Sequence, residues 1–585
     1  MSSPRLFVAP ITTLLVALLA GHGARGVELA IGSASAAVAL EFRSFTADWW
    51  RHNDPRNGDR WQWAGMMTLD VKNTTLRNLA KGLVPAIWRI GGSPEDDVVY
   101  VVGNPPECNS SEVINKSVNY PGPICLTMER WAEILDFVNY TGLRLAFGLN
   151  GLYQRHKADQ HFNSTNAREF LRYTAQNFPN SVYAFELSNE DNHGQADPDK
   201  LAEDFGTVRG FINEFWPDAG NRPLLFGPDV GQHLKSSEDT WLASYIKIAG
   251  SYLNRSTVHT YCNTYVGDLC EHGSVRQPEL DNCTVPELSF KGIVNTNYPG
   301  LPVMAGEVGP HSHGGLDGCT NTFANAFWYL EVLGSLAQNG VVTFARSTMI
   351  GGWYEMINKT SFEPNPDYFL ALFWGRLMGR VHLKTSVDAS TTVRGFASCR
   401  ALGGAASNAG AGAGITVALY NSGNTTTETV TLSGLKFDGS GAAVSSVETH
   451  VRTSGSSQFS WYAEMLQSSG DWAKLAVGSD GTPGEYPGVT TSKSASKITV
   501  DLQPMSYAFV HFPTAVCPPA PHHRLGSSKH AHRRSRHRRL GSSKHAHRRS
   551  RHRRLGSSKH AHWRSRRPVR VHKRKNTRPR EQWDF

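Results

Sequence analysis

Two glutamates in similar settings are the residues of this sequence best suited to chemistry. Glu190 lies in the run Phe185–Asn192 (FELSNEDN), and Glu307 lies in Val303–Gly309 (VMAGEVG). Each follows a short apolar stretch that predicts a buried strand. One carboxyl group that donates a proton, opposite a second that is ionised, is the arrangement that hydrolyses glycosidic bonds. A separation of about 5 to 5.5 Å between them would give a covalent intermediate and retention of configuration.

A glutamate at a strand end is more often a solvated or ion-paired residue than a catalytic one. Two in matching positions, one after Asn189 and the other after Gly306, favour the catalytic interpretation. Glu186 is a competing acid, because alternate residues of a strand share a face. It would point the same way as Glu190 but deeper, and we expect it to form a structural pair with Arg89 or another barrel arginine.

The elements that must position these carboxylates are strands that alternate with helices. Eight candidate strands are Phe42–Ala47, Ala86–Ile90, Arg144–Leu149, Val182–Leu187, Pro223–Gly227, Thr257–Tyr261, Val303–Gly306 and Val341–Ala345. Amphipathic helical patterns between them include Met128–Tyr140, Asn166–Asn177, Pro198–Phe215, Thr240–Asn254 and Thr322–Gln338. Eight such repeats predict an α/β fold, a (β/α)8 TIM barrel, whose active site lies where the strands end. The two glutamates then follow the fourth and seventh strands.

The pattern changes after about Arg376. Alternating runs without helices predict an antiparallel β-sandwich at Ile415–Asn421, Glu428–Ser433, Ser445–Arg452, Lys497–Leu502 and Ser506–Phe512. We divide the chain into a signal peptide (1–26), a strand segment that joins the sandwich (27–41), the barrel (42–375), the sandwich (376–516), and a Pro-containing hinge with a basic tail (517–585).

The formal charge of +10 is an average over two unlike parts of the 585-residue chain. His522–Phe585 carries 23 Lys/Arg and two acidic residues, whereas the preceding residues are net −11. The tail contains three 15-residue repeats, with almost no apolar residues, so we predict that it is disordered. Such a segment binds polyanions; an anionic polysaccharide or membrane surface is the predicted partner, and nucleic acid is a poor candidate. The alternative is a repeat-expanded tail without a selected partner.

The N-terminus predicts secretion. Leu6–Ala20 is a short apolar run after one arginine, and small residues follow it. A retained signal anchor is the alternative, but the run is shorter than the ~20 residues that a span requires. The predicted location is extracellular, with a cell surface, matrix, lysosome or vacuole left open. Nine sequons predict glycosylation, at Asn73, Asn109, Asn115, Asn139, Asn163, Asn254, Asn282, Asn358 and Asn424.

Eight cysteines without zinc-type spacing favour disulfides in this compartment. Cys108 with Cys125 would close a loop, and Cys262, Cys270 and Cys283 lie close enough to pair locally.

Several motifs together resemble the heparanase family, glycoside hydrolase family 79. They are TLRNLAKGLVPAIWRIGGSPEDDVVY, FGLNGLYQ, FELSNEDN, VHTYCN, AGEVGPHSHGG and PNPDYFLALFWGRLMG, in order over about residues 40 to 400. The resemblance implies a retaining β-glucuronidase with a barrel and a C-terminal β-sandwich, acting on glucuronate-containing polysaccharides without a cofactor or metal. It also implies a disulfide between Cys399 and Cys517.

The resemblance assigns roles to individual residues. Glu190 matches the proton donor, Glu307 the nucleophile, and Asn189 the residue that binds the sugar 2-hydroxyl. Other positions match the lining of the sugar subsite, although ordinary packing is an even alternative for each: Asp48, Ser93, Asn150, His259, Tyr261 and Tyr354. Tyr354 and the backbone of Gly314 and Gly315 match groups that receive the glucuronate carboxylate.

The sequence also departs from the family pattern. His313 replaces a glycine of the carboxylate loop, so we expect either the loop shape or the acid preference to differ. Asp191 replaces the proline that usually follows the proton donor.

Only about 25 residues separate Tyr100 from Leu126, so the basic linker excised from animal heparanases is missing. We therefore predict a single-chain enzyme, closer to plant-type members. The alternatives are a barrel glycosidase with another sugar preference and a non-catalytic polysaccharide-binding protein.

Overall fold

A computed structural model describes residues 26–519, except 58–59, 232–235, 264–274, 276, 390, 401–413, 424, 438–447, 454–492 and 495–496. Four features predicted above lie outside the described residues: the apolar N-terminal run, the basic repeats, Cys270 and the sequon at Asn424. The described residues belong to one compact unit.

Eight parallel strands close into the predicted barrel. They are β2 (Arg43–Asp48), β3 (Ile87–Gly91), β6 (Arg144–Leu149), β7 (Ala184–Leu187), β8 (Leu224–Val230), β9 (Arg255–Tyr261), β10 (Val303–Gly309) and β11 (Thr343–Arg346). They follow this order around the barrel, and β11 pairs with β2. All eight coincide with the predicted runs within a few residues. The barrel interior is filled by one buried side chain from each of six strands: Ile87, Ala146, Ala184, Phe226, Met304 and Ala345.

Helices cover the outside of the barrel, and five of them coincide with the five predicted amphipathic patterns within a few residues. They are α1 (Thr74–Gly82), α2 (Ser111–Lys116), α3 (Met128–Thr141), α4 (Thr165–Asn177), α5 (Pro198–Phe215), α6 (Ser236–Ala249), α7 (Gln277–Asn282), α8 (Val285–Asn297), α9 (Asn325–Gln338) and α10 (Pro366–Leu377). Local capping defines their ends. Asp197 caps α5 by accepting from two backbone N–H groups, and Gly142 ends α3 in the left-handed conformation.

The remaining strands form a second, nine-stranded sheet. Its members are β1 (Val27–Ala37), β12 (Val381–Ser386), β13 (Val393–Cys399), β14 (Ile415–Asn421), β15 (Glu428–Ser433), β16 (Glu448–Thr453), β17 (Lys493–Ser494), β18 (Lys497–Leu502) and β19 (Ser506–Phe512). Their order is β16-β19-β14-β13-β12-β1-β15-β18-β17. The sheet differs from a purely antiparallel sandwich in one pair: β1 lies antiparallel to β12 but parallel to β15. The chain thus enters this sheet, leaves it to form the barrel, and returns.

Helix α9 packs the barrel against the second sheet. It is buried on nearly every side, and a Cβ at Gly334 would lie 2.1 Å from the Phe396 ring of β13. Tyr420 of β14 donates to Glu331 of α9 over 2.7 Å. Because close packing and a buried hydrogen bond both join the two parts, we expect them to unfold together.

Three disulfides lie in the described residues. Cys108–Cys125 closes the predicted loop beside a small parallel sheet of β4 (Val98–Val101) and β5 (Ile124–Thr127). Of the three cysteines that lie close in the sequence, Cys262 pairs with Cys283. Cys399 pairs with Cys517, which is the disulfide that the family resemblance implied. Within the described residues, we find no helix that combines the length and apolar character needed to cross a membrane.

Candidate active site

The two glutamates singled out in the sequence face each other at one end of the barrel. Glu190 follows β7, and Glu307 lies near the end of β10. A carboxylate oxygen of each lies within 4.8 Å of the other. This separation leaves no space for a water molecule in line between them, and it matches the short spacing that retaining glycosidases use rather than the ~6.5–9.5 Å of inverting ones.

Glu307 is held by two donors. Arg89 Nη1 donates to Oε2 over 2.7 Å, and the Tyr261 hydroxyl donates to Oε1. The side chain retains 12% exposure, so one face of the carboxylate stays open to the site. The two donors fix the orientation of this carboxylate through short, charge-assisted and hydroxyl hydrogen bonds.

Glu190 has a different environment. Its side chain is 26% exposed, and Oε1 lies 3.0 Å from His259 Nδ1. The same imidazole nitrogen is 4.0 Å from Glu307 Oε2, so His259 lies between the two carboxylates. The three side chains could contact a metal ion together, but the hydrogen bond already accounts for the position of His259.

Burial and charge set the protonation of this group. Burial alone would lower the pKa of His259, but Glu307 and hydrogen bonds with Asp229 and Glu190 raise that pKa to about 10. Burial would raise the pKa of Glu190, but the hydrogen bond and charge of His259 bring it below the usual value. Both shifts favour an ion pair at neutral pH, with the proton on His259 Nδ1, 3.0 Å from the Glu190 carboxylate to which it can pass.

Arg89 organises the floor of the site. This fully buried guanidinium donates to Glu186 over 2.9 Å, to Asn189 Oδ1 over 3.2 Å and to Asp229 over 3.4 Å, besides its bond to Glu307. The predicted pairing of Glu186 with Arg89 is confirmed. Burial and the neighbouring Asp229 raise the pKa of Glu186 to about 7. Glu186 has no exposed surface, so it cannot reach a substrate as Glu190 can.

The turn that carries Glu190 has an unusual backbone. Ser188 and Glu190 have φ angles of 70° and 59°, in the left-handed region that non-glycine residues rarely adopt. Asp96 holds this turn from the loop after β3, because its carboxylate accepts from Asn189 N over 3.2 Å and from Gly151 N over 2.9 Å. Asp96 therefore connects the ends of β6 and β7 and offsets the strain beside the candidate proton donor.

We expect Asp96→Ala to lower kcat by about 100-fold, because small misplacement of a reacting group costs about this much. Asp96→Asn, which keeps one acceptor oxygen, should lose far less, and KM should change little in either variant. Steady-state kinetics on an aryl glycoside, together with the thermal unfolding midpoint, provides the measurement. Asp97→Ala is the matched control, because the Asp97 carboxylate bonds instead to Arg56. Wild-type kcat in Asp96→Ala would contradict this positioning role.

The structure brings most of the other predicted residues to the same barrel end. Asp48 ends β2, and burial together with Glu307 raises its pKa well above the usual range. Tyr354 stacks on Tyr261 with ring centroids 6.4 Å apart. Burial, with Glu307 nearby, raises the pKa of the Tyr354 hydroxyl, which therefore stays protonated and able to donate.

The loop after β10 keeps the backbone of a glycine loop. His313, Gly314 and Gly315 have φ angles of 55°, 82° and 82°, so His313 adopts the left-handed conformation that glycine favours. A Cβ at Gly315 would lie 2.9 Å from the Tyr354 ring, so this position needs glycine. Whether His313 alters the loop shape or the acid preference stays a prediction.

Two predicted subsite residues are placed differently. The Asn150 amide donates to Val98 O over 2.8 Å and accepts from Leu152 N over 3.0 Å, so both of its ends are engaged by backbone. Ser93 is exposed at the start of a short 3-10 helix, Ser93–Asp97. Their contribution to substrate binding stays a prediction.

Sequence reasoning missed Asp229 and Asp96. Asp229 lies near the end of β8, its carboxylate accepts from Arg89, and its carbonyl oxygen accepts from Glu190 N over 3.0 Å. The dipeptide Pro228–Asp229 at a strand end was the available signal. Asp96 lies in an acidic run, Glu95–Asp97, which alone looks like a solvated turn.

Comparison with known proteins decides the family of this chain. Residues 26–334 match the family model "Glycosyl hydrolase family 79, N-terminal domain". The chain belongs to glycoside hydrolase family 79. It is therefore a glycoside hydrolase, and the predicted enzyme class and family are confirmed.

Named members of family 79 are similar over much of their length. Heparanase-like protein 3 of Arabidopsis thaliana is 31% identical over 399 residues, covering 66% of this chain and 72% of that protein. Baicalin-beta-D-glucuronidase of Scutellaria baicalensis is 29% identical, covering 58% and 68%. Heparanase of Gallus gallus is 29% identical, covering 64% and 76%.

Among solved structures, a 4-O-alpha-L-rhamnosyl-beta-D-glucuronidase from Fusarium oxysporum aligns with a TM-score of 0.56 at 17% identity, covering 83% of this chain and 99% of that one. An arabinofuranosidase from Xanthomonas axonopodis aligns with a TM-score of 0.54 at 14% identity, with the same coverage. At these identities the likeness shows the shared fold: a barrel with a second β-domain.

Proposed function

We propose that this family 79 enzyme hydrolyses β-glucuronide linkages with retention of configuration. Glu307 is the nucleophile and Glu190 the acid and base. The observation that carries the proposal is the pair of facing carboxylates within 4.8 Å, one held by two donors and the other hydrogen-bonded to His259. The different partners divide the two roles.

In the first step, a Glu307 oxygen attacks the anomeric carbon while Glu190 protonates the glycosidic oxygen, which leaves as an alcohol. The product is a covalent glycosyl ester on Glu307. Glu190 has by then given up its proton. Because esterification removes the negative charge of Glu307, Glu190 stays ionised and acts as a base. It takes a proton from water, the water oxygen attacks the same carbon, and the ester bond breaks to release the sugar and restore Glu307.

The substrate class follows from the acid-binding side of the site. The left-handed loop at His313–Gly315 and the buried Tyr354 hydroxyl supply donors suited to a sugar carboxylate. Relatives named as a β-glucuronidase and a heparanase support glucuronate in this position. The second candidate function is hydrolysis of a glycoside of another sugar, because an arabinofuranosidase has the same fold.

Turnover of 4-methylumbelliferyl β-glucuronide, beside the β-glucoside and α-arabinofuranoside, tests the sugar. We expect the glucuronide to be cleaved fastest, with free β-glucuronate as the first anomer seen by NMR. Oligosaccharide products from a glucuronate polysaccharide would assign endo action, and free glucuronate exo action. Hydrolysis of neutral glycosides alone would contradict the proposal, and no turnover of any glycoside would favour a non-catalytic binding protein.

We also propose that the enzyme is secreted, glycosylated and active as a single chain. The apolar N-terminal run and the sequons support this location, and exposed asparagines of sequons include Asn109, Asn115 and Asn254. Secreted protein should shift in mass on treatment with an endoglycosidase and should hydrolyse an aryl glucuronide before any cleavage. Inactivity until proteolysis would contradict the single-chain form.

The basic tail is proposed to hold the enzyme on an anionic polysaccharide or membrane surface. Its charge of +21 favours counterion release, which weakens as salt increases. Deleting 522–585 should abolish retention on a heparin column at about 0.15 M salt and leave aryl glucuronide turnover unchanged. Retention that survives the deletion would refute this role.

A further inference from the structure

Arg60 lies beside the glycine loop of the active site. Its guanidinium lies over the Trp353 ring, 5.1 Å from the centroid, and its Cδ is 2.9 Å from where a Cβ on Gly314 would lie. Trp353 N in turn donates to Gly314 O over 2.6 Å. Arg60 therefore packs directly on the loop to which the proposed function assigns the sugar carboxylate.

The other arginines of this loop differ from Arg60. Arg51 and Arg56 both pair with Asp54 and Asp97, at distances of 2.7 to 3.9 Å. Arg60 has no carboxylate within 4.0 Å among the described residues, and its buried Nε has no hydrogen-bond partner there. Within the described part of the chain, Arg60 is thus the one of these three arginines that has no carboxylate partner.

The neighbouring amide does not satisfy Arg60. Asn57 is best oriented with its oxygen accepting from the indoles of Trp50 and Trp61 and its nitrogen donating to His313 O over 3.2 Å. Arg60 Nη1, 3.5 Å from that amide, then faces a nitrogen rather than an acceptor. The amide thus connects the Arg60 segment to the glycine loop and leaves the guanidinium without an acceptor.

Two imidazoles lie on the same rim. His311 Nδ1 lies 2.7 Å from Ser312 O, and exposed His313 lies 2.9 Å from Ser312 Oγ. Burial lowers the pKa of His311, and the neighbouring His313 and Arg60 lower it further, so His311 is neutral at pH 7. Arg60 rather than His311 therefore supplies the positive charge that an acid group on the substrate would balance.

We propose that Arg60 binds the carboxylate of the scissile glucuronate and so determines the preference for acidic sugars. A guanidinium can hold a carboxylate through two parallel hydrogen bonds, beyond what backbone N–H groups and a tyrosine supply. This inference rests on the proposed function, and assigns its sugar specificity to a side chain from the loop after β2.

The test compares 4-nitrophenyl β-glucuronide with its uncharged methyl ester, on wild type, Arg60→Met, Arg60→Lys and Arg56→Met. Arg60→Met should lower kcat/KM for the glucuronide at least about tenfold, mainly through KM, and leave the ester rate unchanged. Arg60→Lys should recover part of the loss, because it restores the charge without the planar fork. Arg56→Met, which removes an ion-paired arginine from the same loop, should match wild type.

Equal losses on both substrates, or no loss on either, would overturn the role of Arg60. Failure of the proposed function would look different, because the wild-type enzyme itself would then cleave neither substrate. Circular dichroism of each variant identifies any unfolding, and an Arg60→Lys enzyme that is folded yet indistinguishable from Arg60→Met would also count against the proposal.

Discussion

Glu307→Gln is expected to abolish turnover of an aryl β-glucuronide, with a loss on the order of 10⁴-fold or more. The amide cannot form the glycosyl ester, whereas the wild-type carboxylate is aligned by Arg89 and Tyr261. Sodium azide should restore part of the rate in Glu307→Ala, because the smaller side chain leaves space for an external anion. Azide attacks the anomeric carbon from the face that Glu307 occupied, so the product is the α-glucuronosyl azide, which NMR distinguishes from the β-anomer.

Glu186→Gln is the matched control for this loss. Glu186 shares Arg89 with Glu307 but is fully buried and accepts from Nε, on another side of the guanidinium. Its amide variant should retain most of the turnover, since it touches no substrate. A loss in Glu186→Gln as large as that in Glu307→Gln would mean that the Arg89 network, rather than a nucleophile, had been tested. Turnover that survives in Glu307→Gln would overturn the mechanism.

Glu190→Gln is expected to lower the rate according to how much protonation the leaving group needs. General acid catalysis contributes about 10²–10⁴-fold. The loss of rate should therefore reach this range for a methylumbelliferyl glucuronide. For a dinitrophenyl glucuronide the loss in the first step should be small, because the dinitrophenolate leaves without protonation. Because Glu190 also activates the water of the second step, the glycosyl ester on Glu307 should accumulate and be visible by mass spectrometry of the intact protein.

The pH profile distinguishes this role from a structural one. The alkaline limb of the wild-type profile reports loss of the proton that His259 holds against Glu190. The neighbouring carboxylates raise the pKa of His259 to about 10, so we expect this limb in wild type and its absence in Glu190→Gln, which has no carboxyl group to pass the proton to the substrate. Asp191→Asn, next in the chain but bonded to Ser188, is the control and should keep the limb. An unchanged profile in Glu190→Gln would contradict the assignment.

Most of the barrel was predictable because buried parallel strands are nearly continuous apolar runs. Runs such as Arg144–Leu149 coincide with a strand from end to end. The short β4 and β5 were not predicted, because their pairing depends on a loop that Cys108–Cys125 closes rather than on periodicity. The parallel pairing of β1 with β15 was not predictable either, since an apolar pattern does not specify the direction of the neighbouring strand.

The candidate site was predictable only in part. Glu190 and Glu307 were found because a carboxylate at the end of a barrel strand has a known place in the fold. Asp96 and Arg60 were not found, because the sequence around Asp96 resembles that of a solvated turn and the sequence around Arg60 resembles that of an exposed loop. Only their contacts, with Asn189 N in one case and with Trp353 in the other, distinguish them from surface residues.

The sequence by itself determined the family, the barrel and the two carboxylates, because each depends on residue type and position within one strand. The tertiary structure decided how those carboxylates differ. Glu307, Arg89 and Tyr261 are far apart in the chain yet hydrogen-bonded, and His259 reaches Glu190 from a different strand. Charge acts over a few ångströms of space and not along the sequence, so only the folded chain gives the two glutamates the different partners on which their proposed roles depend.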